Sequence, residues 1–215
     1  MISNIIIKMT EEDGFKDALS EVYGLYIKHG ARSNKNIMYF HNHIKNLLLK
    51  IFKEPHYNVL LEHDVKSYNS SGKKKCDIVV MKFGEPYIIF PVKIIKSNYK
   101  QNKNNGWENL TGELLHLKWS NDNIHIIPIN IFMNKTPYLN NKSIIETFEN
   151  ITLNDIKNYD ILNEKKITFD IINYIILVEP NNKIGEKFEN IPTILGFDEN
   201  TPYRNLIDIV RELNI

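Results

Sequence analysis

The chain has one cysteine, Cys76, among its 215 residues, so no intramolecular disulfide can form and a reducing compartment is expected. Cysteine and histidine do not cluster at zinc-ligand spacings, which excludes zinc-finger chemistry. No stretch approaches the ~18 apolar residues of a membrane span. The N-terminal MISNIIIKMTEEDG lacks the basic n-region of a signal peptide. These absences predict a soluble intracellular protein without a membrane partner. Glycine is scarce, while Ile, Asn and Lys abound, the usage of an AT-rich organism or virus. There is no G-x-S-x-G, no P-loop and no Rossmann fingerprint, so serine-hydrolase, nucleoside-triphosphatase and dinucleotide chemistry lose their usual signals.

What is present is an uneven charge. The formal net charge is only +1, yet residues 66–103 hold nine lysines against Asp77 and Glu85. That segment carries +7 and the remainder −6. A basic centre in an acidic chain directs a polyanion to one face; a solvated lysine-rich surface is the plainer alternative.

The period of the apolar residues divides the chain. Phe15, Ala18, Leu19, Val22, Tyr23 and Tyr26 predict a helix over 12–29, and Ile37, Phe40, Ile44, Leu47, Leu48 and Ile51 another over 36–53. Val59, Leu61 and Val65 then alternate as in a strand. Residues 76–81 and 87–92 are short apolar strands joined by the tight Phe83-Gly84-Glu85-Pro86 turn. A polar loop over 97–105 precedes a helix at 105–118. A strand over 124–132 contains Pro128, which suggests an edge or a bulge. Further on, a helix is expected at 143–158, a strand at 168–178 and a helix at 202–213. The order predicts one domain of α/β or α+β class around a mixed sheet flanked by helices, with its core at about 12–132 and 133–215 as a C-terminal extension for scaffold, dimer contact or recognition.

Two residues stand out. Asp77 opens one strand of the hairpin and Lys93 closes the other, so antiparallel pairing brings them to the same end of the sheet. A carboxylate there can hold Mg²⁺ in an oxygen shell, and a lysine can orient water or neutralise a phosphate. An exposed ion pair across a hairpin is the ordinary alternative. Glu62, on the preceding strand, is a candidate outer carboxylate. The histidines offer no H-x-x-x-H pair, and His41 and His43 at i,i+2 point to different sides of a helix, so each is read as structural. Cys76 is read as buried core.

Asp77, the tight turn, and the apolar run ending Pro91-Val92-Lys93 resemble the PD-(D/E)xK superfamily, which includes many type II restriction endonucleases. The segment Asn104-Asn105-Gly106-Trp107-Glu108 resembles the Asn-Asn-x-x-Glu that follows the lysine strand in XhoI-type restriction enzymes. The resemblance spans about residues 57–130. It implies a restriction-endonuclease-like α/β core and Mg²⁺-dependent cleavage of double-stranded DNA, with Mn²⁺ as substitute, by a homodimer. Asp77, Lys93 and Glu108 would be catalytic. Asp77, Glu108, Glu62 and the Val92 carbonyl would serve the metal.

One departure matters: the family's middle carboxylate position is Pro91. Either the acid has moved to the next helix, with Glu108, fifteen residues beyond Lys93, preferred to Glu113, or the protein binds DNA without cutting it. A structure-specific repair or recombination nuclease is a further alternative. Lys96, Asn98, Lys100, Gln101, Lys103, Asn104 and Asn105 are the expected DNA contacts, lysines for phosphate and amides for adenine edges. Asn104 and Asn105 could instead cap the helix.

Overall fold

A computed structural model describes residues 2–30 and 33–213, with side chains from residue 11 onward. Two helices open the chain, α1 (Ile2–His29) and α2 (Lys35–Leu48). The apolar positions expected at helical spacing are buried: Phe15, Leu19, Val22 and Tyr23 on α1, and Phe40, Ile44, Leu47 and Leu48 on α2. Asn34 precedes α2 without a side-chain cap.

An antiparallel meander follows, of β1 (Tyr57–Lys66), β2 (Lys73–Lys82) and β3 (Glu85–Phe90). β3 ends before Pro91, whose nitrogen carries no N–H. The chain continues as β4 (Val92–Ile94), α3 (Tyr99–Ser120), β5 (His125–Ile126) and β6 (Ile129–Met133). β3 pairs parallel with β5, and β4 with β6. Ile127 N–H donates to Ile89 and Ile129 N–H to Pro91, so hydrogen bonds cross the two strand breaks. The predicted strand at 124–132 is therefore two strands. Pro128 marks the break between them rather than an edge, since β6 lies between β4 and a later parallel strand, β9 (Ile172–Glu179). β10 (Thr193–Phe197) completes that side antiparallel to β9.

The two four-stranded sheets, ordered β1-β2-β3-β5 and β10-β9-β6-β4, are covered on both faces. α1, α2 and α6 (Leu206–Arg211) share one apolar core with Ile78, Val80, Ile88, Phe90, Ile129 and Ile131. The opposite core joins Leu110, Leu114 and Leu117 of α3 to Cys76, Val79, Ile89 and Phe132. It also takes in α4 (Leu153–Ile156) and α5 (Asp160–Glu164). The residues expected to form an extension thus supply β9 and β10 to the sheet of β4 and β6, and α6 to the same core. No described helix is long and apolar enough to cross a membrane.

Two expectations are corrected. The helix expected at 143–158 is helical only from Leu153 on; its first part is a strand, β8 (Ile145–Asn150), paired with β7 (Lys135–Leu139). Ile145, Thr147 and Phe148 suit a pleated surface, and helix starts only after Thr152, whose capping box with Asp155 opens α4. The polar loop expected at 97–105 is mostly helix, since α3 begins at Tyr99. Its first turn is held by Glu149, which accepts hydrogen bonds from Lys100 N–H at 3.2 and 3.3 Å, a partner remote in sequence.

Phe40 is fully buried and meets Phe15 edge-on at 5.2 Å. Phe40→Ala is expected to lower unfolding stability by about 3–5 kcal/mol, read as a reduced midpoint with unchanged slope in urea denaturation.

Candidate metal centre and adjoining cleft

The β1–β2 register pairs Leu61 with Ile78 and His63 with Cys76, so Glu62 stands opposite Asp77. Glu62 has φ 49, a left-handed value that is uncommon outside glycine and costly in a strand. The pleat changes phase there. Val59 and Leu61 face the α1–α2 core, whereas Val65 faces α3. On β2, Ile78 and Val80 face α1–α2, whereas Cys76 faces α3. Asp77 sits at that inversion.

It is therefore within reach of both layers. From α2, His41 joins Glu62 and Asp77, and the three offer ligand atoms within 4.8 Å of one another. His41 is 1% exposed. Its Nδ1 lies 3.2 Å from Glu62 Oε1, but off the line of a hydrogen bond, and both ring nitrogens are buried without a hydrogen-bond partner. Burial lowers the imidazole pKa against the opposing pull of Asp77 and Glu62, so the ring stays neutral with a lone pair to offer. Burial raises the Asp77 pKa; the Val92 N–H, donating to Asp77 Oδ2 at 2.7 Å, and His41 work against it.

On the α3 side Asp77 borders a cleft of about 330 Å³. Lys93 lines it from β4, and desolvation lowers the pKa of its amine. From α3 come Gly106, Asn109, Leu110, Glu113, Leu114 and Leu117, one stripe at helical spacing. A Cβ at Gly106 would overlap the Lys93 ammonium, so glycine there gives the lysine its seat. Glu113 pairs with Lys74 at this cleft. Asn130, beside Lys93 in the β4–β6 register, also lines it, and its buried Oδ1 lacks a hydrogen-bond partner.

The expected residues thus separate. Asp77, Glu62, Lys93 and Val92 gather where the hairpin placed them. Glu108 does not line the cleft and is exposed, while Glu113 lines it. The reason is helical phase: Glu108 is two residues beyond Gly106, about 200° round the axis. Of the expected DNA contacts, Asn98 has its amide engaged with the backbone of Leu139, accepting at 2.9 Å and donating at 2.9 Å. Lys100, Gln101, Asn104 and Asn105 are exposed on the first turns of α3. They lie within the helix, so Asn104 and Asn105 do not cap it. Lys96 and Lys103 are half-buried. Cys76 is core, its thiol pushed up to about 12 by burial. His41, Asn109 and Asn130 were missed. A search for ligand pairs along one helix does not find an imidazole supplied to carboxylates of another element.

Comparison with family models, with curated proteins and with solved structures finds no match to this chain.

Two carboxylates and a neutral imidazole fit a divalent cation that takes oxygen and nitrogen, such as Mn²⁺, as well as the harder Mg²⁺. His41→Ala is expected to weaken Mn²⁺ binding at least about tenfold, since even outer-shell losses reach that size. Affinity is also expected to fall as pH is lowered, because the raised Asp77 pKa makes protonation compete with the ion. Titration of free Mn²⁺ by its electron paramagnetic resonance signal measures both.

Proposed function

We propose that the protein is a metal-dependent endonuclease that hydrolyses phosphodiester bonds of double-stranded DNA, with a restriction-endonuclease-like core. The observation that carries this reading is the cluster of His41, Glu62 and Asp77, with Lys93 held in the adjoining cleft. The hairpin from Asp77 to the lysine strand, with α3 after it, is in keeping with the order that the PD-(D/E)xK resemblance implies.

In this reading Asp77 and Glu62 hold the cation from the sheet, and His41 takes a role the resemblance did not assign. The bound cation would supply a polarised phosphate and a more acidic water. Lys93 faces the substrate side of the same cleft, where its partly desolvated ammonium orients the attacking water or meets the charge that grows on the phosphate. The missing middle acid at Pro91 is made good by Glu62 across the ladder. Glu113, rather than Glu108, is the α3 carboxylate placed to take part, once substrate or cation competes with Lys74 for it. Lys75 and Lys100, for which no described carboxylate lies within ion-pair distance, extend a basic surface for the strand on either side. Cutting both strands of a duplex suits a homodimer.

The test is cleavage of plasmid and phage DNA with Mg²⁺, with Mn²⁺ and with EDTA. Metal-dependent products are expected from the wild type and from Glu108→Ala, and none from Asp77→Asn or Lys93→Ala. Glu113→Gln is expected to lose at least about tenfold in rate, in the range of a displaced catalytic group. Gly106→Ala makes a sharper probe. Alanine favours a helix interior over glycine by about 1 kcal/mol, so the melting temperature should hold or rise while displacement of Lys93 removes activity. Salt-sensitive DNA binding without cleavage under any metal would replace this reading with that of an inactive DNA-binding protein.

A further inference from the structure

Lys93 and Gly106 form the wall between the cleft over Asp77 and a second one, of about 200 Å³, that no part of the reading above uses. The second cleft is lined by Lys93, Lys96 and Lys103 together with Tyr26, Ser97 and Asn102, and by no aspartate or glutamate. Its three amines are not equally satisfied. Lys103 reaches Asp155 at 3.4 Å and lies over the Tyr99 ring. Lys96 has no ion-pair partner among the described residues, and its amine lies 5.4 Å from the centre of the Tyr26 ring. Burial alone pushes its pKa down to about 8. A half-enclosed ammonium without a counter-ion weakens the free protein, and an oxyanion in the cleft would relieve it.

We propose that this second cleft is a phosphate subsite, in which Lys96, Lys93 and Lys103 receive a phosphate group of a polynucleotide beside the one over Asp77. The group is either an internal diester or a terminal monoester, since both present the same oxyanion. The proposal deepens the nuclease reading and rests on it for the polynucleotide, but binding without metal tests it apart from cleavage.

The experiment uses the full chain in EDTA. Fluorescence anisotropy measures binding of one DNA duplex carrying either a 5′-phosphate or a 5′-hydroxyl, and thermal denaturation is followed with inorganic phosphate or with chloride at equal ionic strength. The expected results for Lys96→Met are a melting temperature above wild type at pH 7, about tenfold weaker duplex binding, and loss of the stabilisation by inorganic phosphate. Lys96→Arg keeps the binding. The stability gain of Lys96→Met should shrink as pH rises from about 8 towards 10.5. Over that range the unfolded chain still protonates its lysine while the folded chain no longer does, so wild-type stability rises with pH. Equal affinity for the two duplexes assigns the cleft to an internal diester, and tighter binding of the 5′-phosphate assigns it to a chain end. Duplex and phosphate affinities unchanged in Lys96→Met overturn the subsite, as does a lowered melting temperature, which makes the amine a structural group. A protein that cleaves DNA with Lys96-independent binding sinks the subsite alone. One that binds through Lys96 but never cleaves sinks the nuclease reading alone.

Discussion

The whole site depends on one hydrogen bond made where the hairpin ladder ends. Pro91 turns its carbonyl away from β2, to Ile129 N–H, and on the β2 side the ladder stops at the Ile78–Phe90 pair. The next donor along the chain, Val92 N–H, goes to the Asp77 carboxylate. That one bond fixes the acid against the strand that bears the lysine. It also lets the chain leave β3 and enter β4, which pairs with β6 and turns Lys93 toward α3. Pro91 stands where the resemblance expects a carboxylate, and Asp77, Lys93 and Asn130 converge beside it in the cleft that it lines.

The convergence uses both faces of the sheet. A flat strand shows alternate residues to opposite layers, and a carboxylate on it belongs to one layer. The phase change at Glu62 and Asp77 places Asp77 between layers, with exposed Glu62 opposite it on β1, the imidazole of α2 behind and the lysine cleft of α3 in front. Desolvation acts against the charged form of both groups: it keeps His41 neutral and hinders ionisation of Asp77, and a cation between them would favour the ionised carboxylate.

The hairpin half of this arrangement was legible from residues alone. A tight turn between two apolar runs fixes which ends meet, and that arithmetic placed Asp77 beside Lys93 and left Glu62 one strand away. The helical half was not. α3 starts six residues earlier than its apolar residues suggest, because its first turns are polar and take their stability from Glu149 on β8. The stripe through Gly106, Asn109 and Glu113 lies inside the expected helix, but which face of that helix meets Lys93 is set by packing, and the resemblance points to Glu108 instead. β8 itself was read as helix, so its carboxylate could not be matched to α3. Asn130 was obscured by a strand that breaks at Pro128. His41 was judged by neighbours on its own helix, while its partners are on the sheet.

The left-handed backbone at Glu62 also works as a register lock. A strand that slips by one residue against its neighbour carries every side chain to the wrong face, and most strands resist this only through their hydrophobic pattern. Here a slip of β1 would put Leu61 or His63 opposite Asp77 and move the phase change away from its partner on β2. The mispaired chain would lose both the two-sided burial and the carboxylate pair. Correct pairing of these strands and assembly of the His41–Glu62–Asp77 cluster are therefore one folding event.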